Sequence, residues 1–111
     1  MNDFDRGFLL GFFCGQGSFG GDGKQGHIIL RMHAVHLPLM ERLRELLTGS
    51  KINGPYTNGV KLYYQWSLRG NGLEALVSSR LLEELAEIDI DSHRRYRGMV
   101  DRYFKKLDKI Q

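Results

Sequence analysis

Apolar and polar residues recur along this chain with two periods, and the switches between them divide it into elements. Near the start, Phe8, Leu9, Phe12 and Phe13 are apolar, Asn2 or Asp3 stands where an N-cap belongs, and Gly15 and Gly17 follow. The pattern predicts a helix over 3–14. A short strand over 17–22 and a Gly-Asp-Gly-Lys-Gln-Gly loop at 21–26 lead into residues 27–34, where the period becomes two. There Ile28, Leu30, Met32 and Ala34 fall on one side, and His27, Ile29, Arg31 and His33 on the other. Pro38 suits the first turn of a second helix running to about Leu47, with Leu39, Leu43, Leu46 and Leu47 on one face.

The second half repeats the arrangement. A strand is predicted near 50–53, a turn at Asn53-Gly54-Pro55 and a loop at Thr57-Asn58-Gly59. Residues 60–68 alternate most clearly, Val60, Leu62, Tyr64, Trp66 and Leu68 against Lys61, Tyr63, Gln65 and Ser67, with Arg69 continuing the polar row. Asn71 and Glu74 have capping-box spacing before a helix over about 72–80, and Ser92 suits the cap of a last helix over about 93–108. Helix, hairpin, helix, hairpin and two helices make an α+β fold: one four-stranded antiparallel sheet with helices on one face, its other face polar and exposed.

Size and composition fix the class. At 111 residues, 41% hydrophobic and 26% charged, the chain is one globular domain over 1–111. No apolar run reaches a membrane span, and the acidic N-terminus with a short apolar stretch reads as no signal peptide, so no membrane partner is expected. The single cysteine, Cys14, forms no intrachain disulfide, which fits a cytoplasmic, nucleoid-associated protein or one in an organelle matrix. A net charge of +3 does not by itself identify a nucleic-acid partner.

The first helix carries an unusual cost. Gly7, Gly11 and Gly15 recur every fourth residue, and each interior glycine costs about 0.5–1 kcal/mol relative to alanine. Close approach of another helix backbone would offset that; the plain alternative is that Gly7 sits in the first turn and Gly15 ends the helix. The segment Leu9-Leu10-Gly11-Phe12-Phe13-Cys14-Gly15-Gln16-Gly17-Ser18-Phe19 resembles the LAGLIDADG motif with its Gly-Ser-Phe continuation, and the order of elements over nearly the whole chain is similar to that family's. The resemblance implies a homing-endonuclease-like αββαββα fold with a saddle-shaped sheet. One motif per chain implies a homodimer through Gly7, Leu10, Gly11, Cys14 and Gly15. It also implies double-stranded DNA as the partner.

The same resemblance marks where this chain departs from the family. The acidic position that ends the helix and binds a divalent metal is Gln16 here, and the other acidic position is Cys14. Ala34 and His93 stand where the family pocket usually has glutamine and lysine. The expectation is therefore DNA binding without efficient cleavage and without a cofactor. One alternative is an active Mg²⁺-dependent endonuclease tolerant of Gln16 or using a carboxylate such as Asp22. A second is a maturase-like splicing cofactor with RNA as partner, and a third is a pure oligomerisation module.

The expected DNA surface is the outward rows. They hold His27, Arg31 and His33 on one strand and Lys61, Tyr63, Gln65, Ser67 and Arg69 on the other, with Lys24 in the first loop and Lys51 at the start of the third strand. The last helix is basic, with Arg94, Arg95, Arg97, Arg102, Lys105, Lys106 and Lys109 against Asp101 and Asp108; its start, His93, Arg94 and Arg95, is a further candidate for phosphate contact. No metal site is expected: His33, His36 and Cys14 match no zinc spacing.

Overall fold

A computed structural model describes residues 1–105. The first helix, α1 (Asp3–Gln16), is capped by the Asn2 side chain, which accepts from the Asp5 N–H at 2.8 Å. Strands β1 (Ser18–Gly21) and β2 (Gly26–His33) form a hairpin. A 3₁₀ turn over Ala34–His36 leads into α2 (Leu37–Leu46), with Pro38 in its first turn. Strands β3 (Lys51–Asn58) and β4 (Lys61–Arg69) form the second hairpin, followed by α3 (Gly70–Ser79), a 3₁₀ segment over Leu81–Glu87, and α4 (Ile90–Tyr103). All strand pairs are antiparallel, in the order β1-β2-β4-β3. The αββαββα core of the expected fold is present, and none of the helices among the described residues is long and apolar enough to cross a membrane.

The core lies on the inner side of the sheet. Ile28, Leu30, Trp66 and Leu68 pack from the central strands onto Leu9 and Phe13 of α1, Leu73 of α3 and Tyr96 of α4 within one buried cluster. The Phe13 ring stands 5.9 Å from Trp66 and 6.4 Å from Phe19, and Phe19 meets Tyr96 at 5.6 Å, so α1 and α4 both lie beneath the sheet. Two glycines permit that closeness. A Cβ on Gly17 would fall 2.6 Å from the Phe13 carbonyl oxygen, and one on Gly21 would meet the Tyr103 ring of α4. A buried Asp5 on α1 accepts from Arg42 Nη2 of α2 at 2.7 Å, tying these helices together.

Several expectations are corrected. Asn53-Gly54-Pro55 is not a turn that ends a strand: β3 continues to Asn58 through a bulge, with Gly54 at φ +122° and a cis Gly54–Pro55 bond. Glycine and proline serve a bulge on an edge strand as they would serve a turn. Val60 and Leu62 do not join the inner row. Val60 sits at the hairpin turn and Leu62 in the overhanging end of β4, and both are exposed. α2 buries Met40 and Leu43, Leu46 packs partly buried against the core and Leu47 is buried just beyond the helix, while Leu39 is exposed. Neither expected cap forms: α3 begins at Gly70, placing Asn71 inside its first turn, and α4 begins at Ile90. Ser92 is instead buried in α4, its Oγ bonded to Asp89 Oδ2 at 2.7 Å and close to the Cys14 carbonyl at 3.4 Å. The expected stretch beyond residue 105, with Lys106, Asp108 and Lys109, lies outside the described residues.

Candidate nucleic-acid interface

Because side chains alternate along each strand, the pairing register states which residues share the face opposite the helices. On β2 these are His27, Ile29, Arg31 and His33; on β4 they are Tyr63, Gln65, Ser67 and Arg69. The rows cross the sheet as His27 beside Arg69, Ile29 beside Ser67, Arg31 beside Gln65, and His33 beside Tyr63. β3 extends three of them with Lys51 beside Ser67, Asn53 beside Gln65 and Tyr56 beside Tyr63, and Asn58 lies next to Lys61 at the hairpin end. No aspartate or glutamate stands in any row.

The strand residues expected on this surface therefore do come together. The bulge adds Tyr56 and Asn58: one extra residue on β3 reverses the alternation, so Asn53 and Tyr56, three apart, point to the same side. Tyr56 and Tyr63 rings lie 5.4 Å apart at 37°. Ser67 is on this face yet buried, flanked by Ile29 and Lys51 in its row. It lies in a recess of about 320 Å³ that Lys51 and Arg69 also line.

The cations of this face are not neutralised by acids. Arg31 Nε donates to the neutral Gln65 Oε1 at 2.9 Å. Lys24, Lys51, Lys61 and Arg69 enter none of the ion pairs among the described residues. The pKa of half-buried His27 is lowered, first by burial and then by the charge of Arg69, with Asp22 opposing. Lys24 and Asp22 share the β1–β2 loop, where Asp22 Oδ1 accepts the backbone N–H groups of Lys24 and Gln25 at 2.8 and 2.9 Å. Those bonds hold the Asp22 carboxyl below its ordinary pKa.

The start of α4 does not join this surface. α4 underlies the sheet, and its candidates are occupied there. His93 Nε2 is 3.1 Å from Glu83, Arg94 pairs with Asp91, and Arg95 binds Asp91 at 3.1 Å and Ser92 Oγ at 3.2 Å. Arg95 also reaches the Gly17 carbonyl at 3.4 Å, which puts it at the C-terminal end of α1 near Gln16. Glu83 holds His93 and also accepts from Arg97 at 2.9 Å, whereas Arg94 and Arg95 are paired with Asp91 in the first turn of their own helix.

α1 separates its two edges. Leu10, expected at a dimer interface, is buried in the chain's own core, and Cys14 is half-buried against it. Gly7, Gly11 and Gly15 are exposed, and a Cβ at any of them would meet nothing within 4 Å. Phe4 extends the same exposed side at 79% exposure, and Phe8 and Phe12 are only partly buried. At the end of α1 the position for a metal ligand offers the Gln16 amide and, two residues before it, the Cys14 thiol. Neither is the anionic oxygen that a hard divalent cation takes, and among the described residues no three His, Cys, Asp or Glu side chains converge on a point. The donor set does not fit such an ion.

No protein-family model matches the sequence, and no curated protein matches it. Among solved structures, the fold is similar to the crystal structure of a homing endonuclease, I-TnaI. The TM-score is 0.63 at 14% identity, over 86% of this chain and 71% of that one. The architecture is thus homing-endonuclease-like, and at this identity the likeness is one of fold.

Proposed function

We propose that the chain is a homodimeric protein that binds double-stranded DNA and leaves it uncut. The observation that carries this reading is the charge on the open sheet face: Arg31, Lys51, Lys61 and Arg69, with His27 and His33 between them and no carboxylate in the rows. Such a face attracts a phosphate backbone, and each cation set against a phosphate releases a condensed counterion. Its spacing also suits a duplex. Same-face residues on a strand are about 6.7 Å apart, near two base-pair steps, so the four rows from Tyr63 to Arg69 reach about six base pairs. Two copies about a twofold axis would meet a palindromic site of about twice that length.

The exposed glycine edge of α1 supports the dimer, because a helix without Cβ atoms on one side admits another backbone at short distance. The neutral Gln16 and Cys14 support the loss of cleavage. A selection from random duplexes, with and without Mg²⁺ and followed by electrophoresis of the products, tests all three parts. A recovered palindromic site, bound by two subunits and intact in Mg²⁺, is the expected result. Specific metal-dependent double-strand cuts would overturn the uncut reading, and recovery of no duplex would overturn DNA binding. The Tyr56–Tyr63 pair favours a second reading, RNA, whose unpaired bases stack on aromatic rings. Displacement of bound duplex by an equal nucleotide concentration of single-stranded RNA would favour it.

A further inference from the structure

Arg31 and Gln65 face each other in register across the two central strands, joined by the bond from Arg31 Nε to Gln65 Oε1 at 2.9 Å. This bond divides the labour between them. A guanidinium carries its donors in a rigid fork. With Nε–H turned sideways to the neighbouring strand, the two terminal nitrogens remain as an end-on pair. Glutamine reads adenine through both ends of its amide at once, its oxygen on N6 and its nitrogen on N7. The oxygen of Gln65 is committed laterally to Arg31, so Gln65 serves as an anchor.

The anchor is uncharged, and that distinguishes Arg31 from five arginines of the helical layer. Arg6, Arg42, Arg94, Arg95 and Arg97 are each tied to carboxylates. A carboxylate would restrain the guanidinium and cancel its charge together. Gln65 restrains it and leaves the charge whole, on an exposed side chain in the middle of a face without acids. Restraint before binding lowers the rotamer entropy that binding would otherwise remove. The base whose major-groove edge offers two acceptors to such a fork is guanine, through O6 and N7.

We propose that Arg31 reads a guanine at one position of each half-site, and that Gln65 is its positioning residue. The inference rests on the DNA reading above. Its test is the same duplex selection run with wild type, Arg31→Ala, Arg31→Lys and Gln65→Met, all confirmed folded by circular dichroism. Wild type should select a guanine at one symmetric position. Arg31→Ala and Gln65→Met should each lose that preference at that same position, by about 5- to 150-fold against the other bases. Arg31→Lys should weaken that preference while keeping the salt dependence of binding, since it keeps the charge and loses the planar fork. Gln65→Met should also keep the salt dependence. If Gln65→Met relaxes an adenine at a position that Arg31→Ala leaves unchanged, Gln65 reads a base directly and the inference fails while DNA binding stands. Variants that all select the wild-type site overturn it in the same way. A wild type that selects no duplex overturns both readings.

Discussion

Replacing Gly11 with alanine should strengthen the subunit and weaken the dimer, opposite effects from one methyl group. Within the subunit a Cβ at Gly11 meets nothing within 4 Å, so only helix propensity acts there. Alanine in a helix interior is favoured over glycine by about 0.5–1 kcal/mol, which raises Tm by about 2–6 °C for a domain of this size. Across a twofold interface the substitution adds a methyl group to both facing helices, where forced separation or overpacking costs about 1–3 kcal/mol. That raises the dimer dissociation constant about 5- to 150-fold. Sedimentation equilibrium over a concentration series reads the second effect, and thermal melts under dilute conditions read the first. Gly17→Ala supplies the contrast. Its Cβ would lie 2.6 Å from the Phe13 carbonyl oxygen and 3.2 Å from Phe19 Cζ, so it should lower stability whatever the oligomeric state. A Gly11→Ala protein that melts higher and dimerises as tightly as wild type would refute a close helix contact on this edge. A wild type that is monomeric at micromolar concentration would refute the dimer itself.

Lys51→Ala and Lys61→Ala should each lower the log–log salt slope of DNA binding by roughly 0.9 if each lysine faces a phosphate, as fluorescence anisotropy across a salt series measures. His27 has a folded pKa below its ordinary 6.5, so at slightly acidic pH the unfolded chain holds a proton that the folded chain lacks. Its contribution to stability is therefore present above pH 6.5 and lost as pH falls from there to the folded pKa. Arg69→Ala removes one cause of the shift and should shrink that loss in urea midpoints taken between pH 5 and 7, with NMR titration of His27 as the direct check. Arg42→Met should lower stability, because it leaves the buried Asp5 carboxylate without its partner. A double-mutant cycle with Asp5→Asn that found no coupling would show that the pair contributes nothing.

The sheet was legible because burial on one side only imposes period two, and β2 and β4 carry it almost without interruption. What escaped was decided by neighbours far away in sequence. Asn53-Gly54-Pro55 has the composition of a turn, and only the partner strand decides whether a positive-φ glycine turns the chain or kinks it within a ladder. A signal was present: Gly59-Val60 is a two-residue hairpin turn, which requires strands of similar length on both sides and so a β3 longer than four residues. That requirement would have carried Tyr56 and Asn58 onto the face. Leu10 shows a different limit. Helical spacing groups it with Gly7 and Gly11 on the sequence, yet α1 turns Leu10 toward its own core and the glycines outward.

Charge explains the remaining gap. A net +3 gives little indication of a polyanion partner, because thirteen acidic residues almost balance sixteen basic ones. The structure separates them by layer. None of the described acidic residues lies in a strand; apart from Asp22 in the first loop, they belong to the helices, the 3₁₀ segment and their caps. There they hold His93, Arg94, Arg95 and Arg97 of α4, which is why the first three are occupied although their sequence neighbourhood suggests free cations. Pairing at three or four residues is visible in a sequence, as for Asp91 with Arg94 and Arg95. Pairing of Glu83 with His93 and Arg97, ten and fourteen residues away, is not. Asp5, Glu45, Glu83, Glu84, Asp91 and Asp101 pair with cations of the helical layer, and the cations of the sheet keep their charge. A ligand approaching the sheet meets the local density of charge within about a Debye length rather than the sum over the chain, so a weakly basic protein can present a strongly basic face.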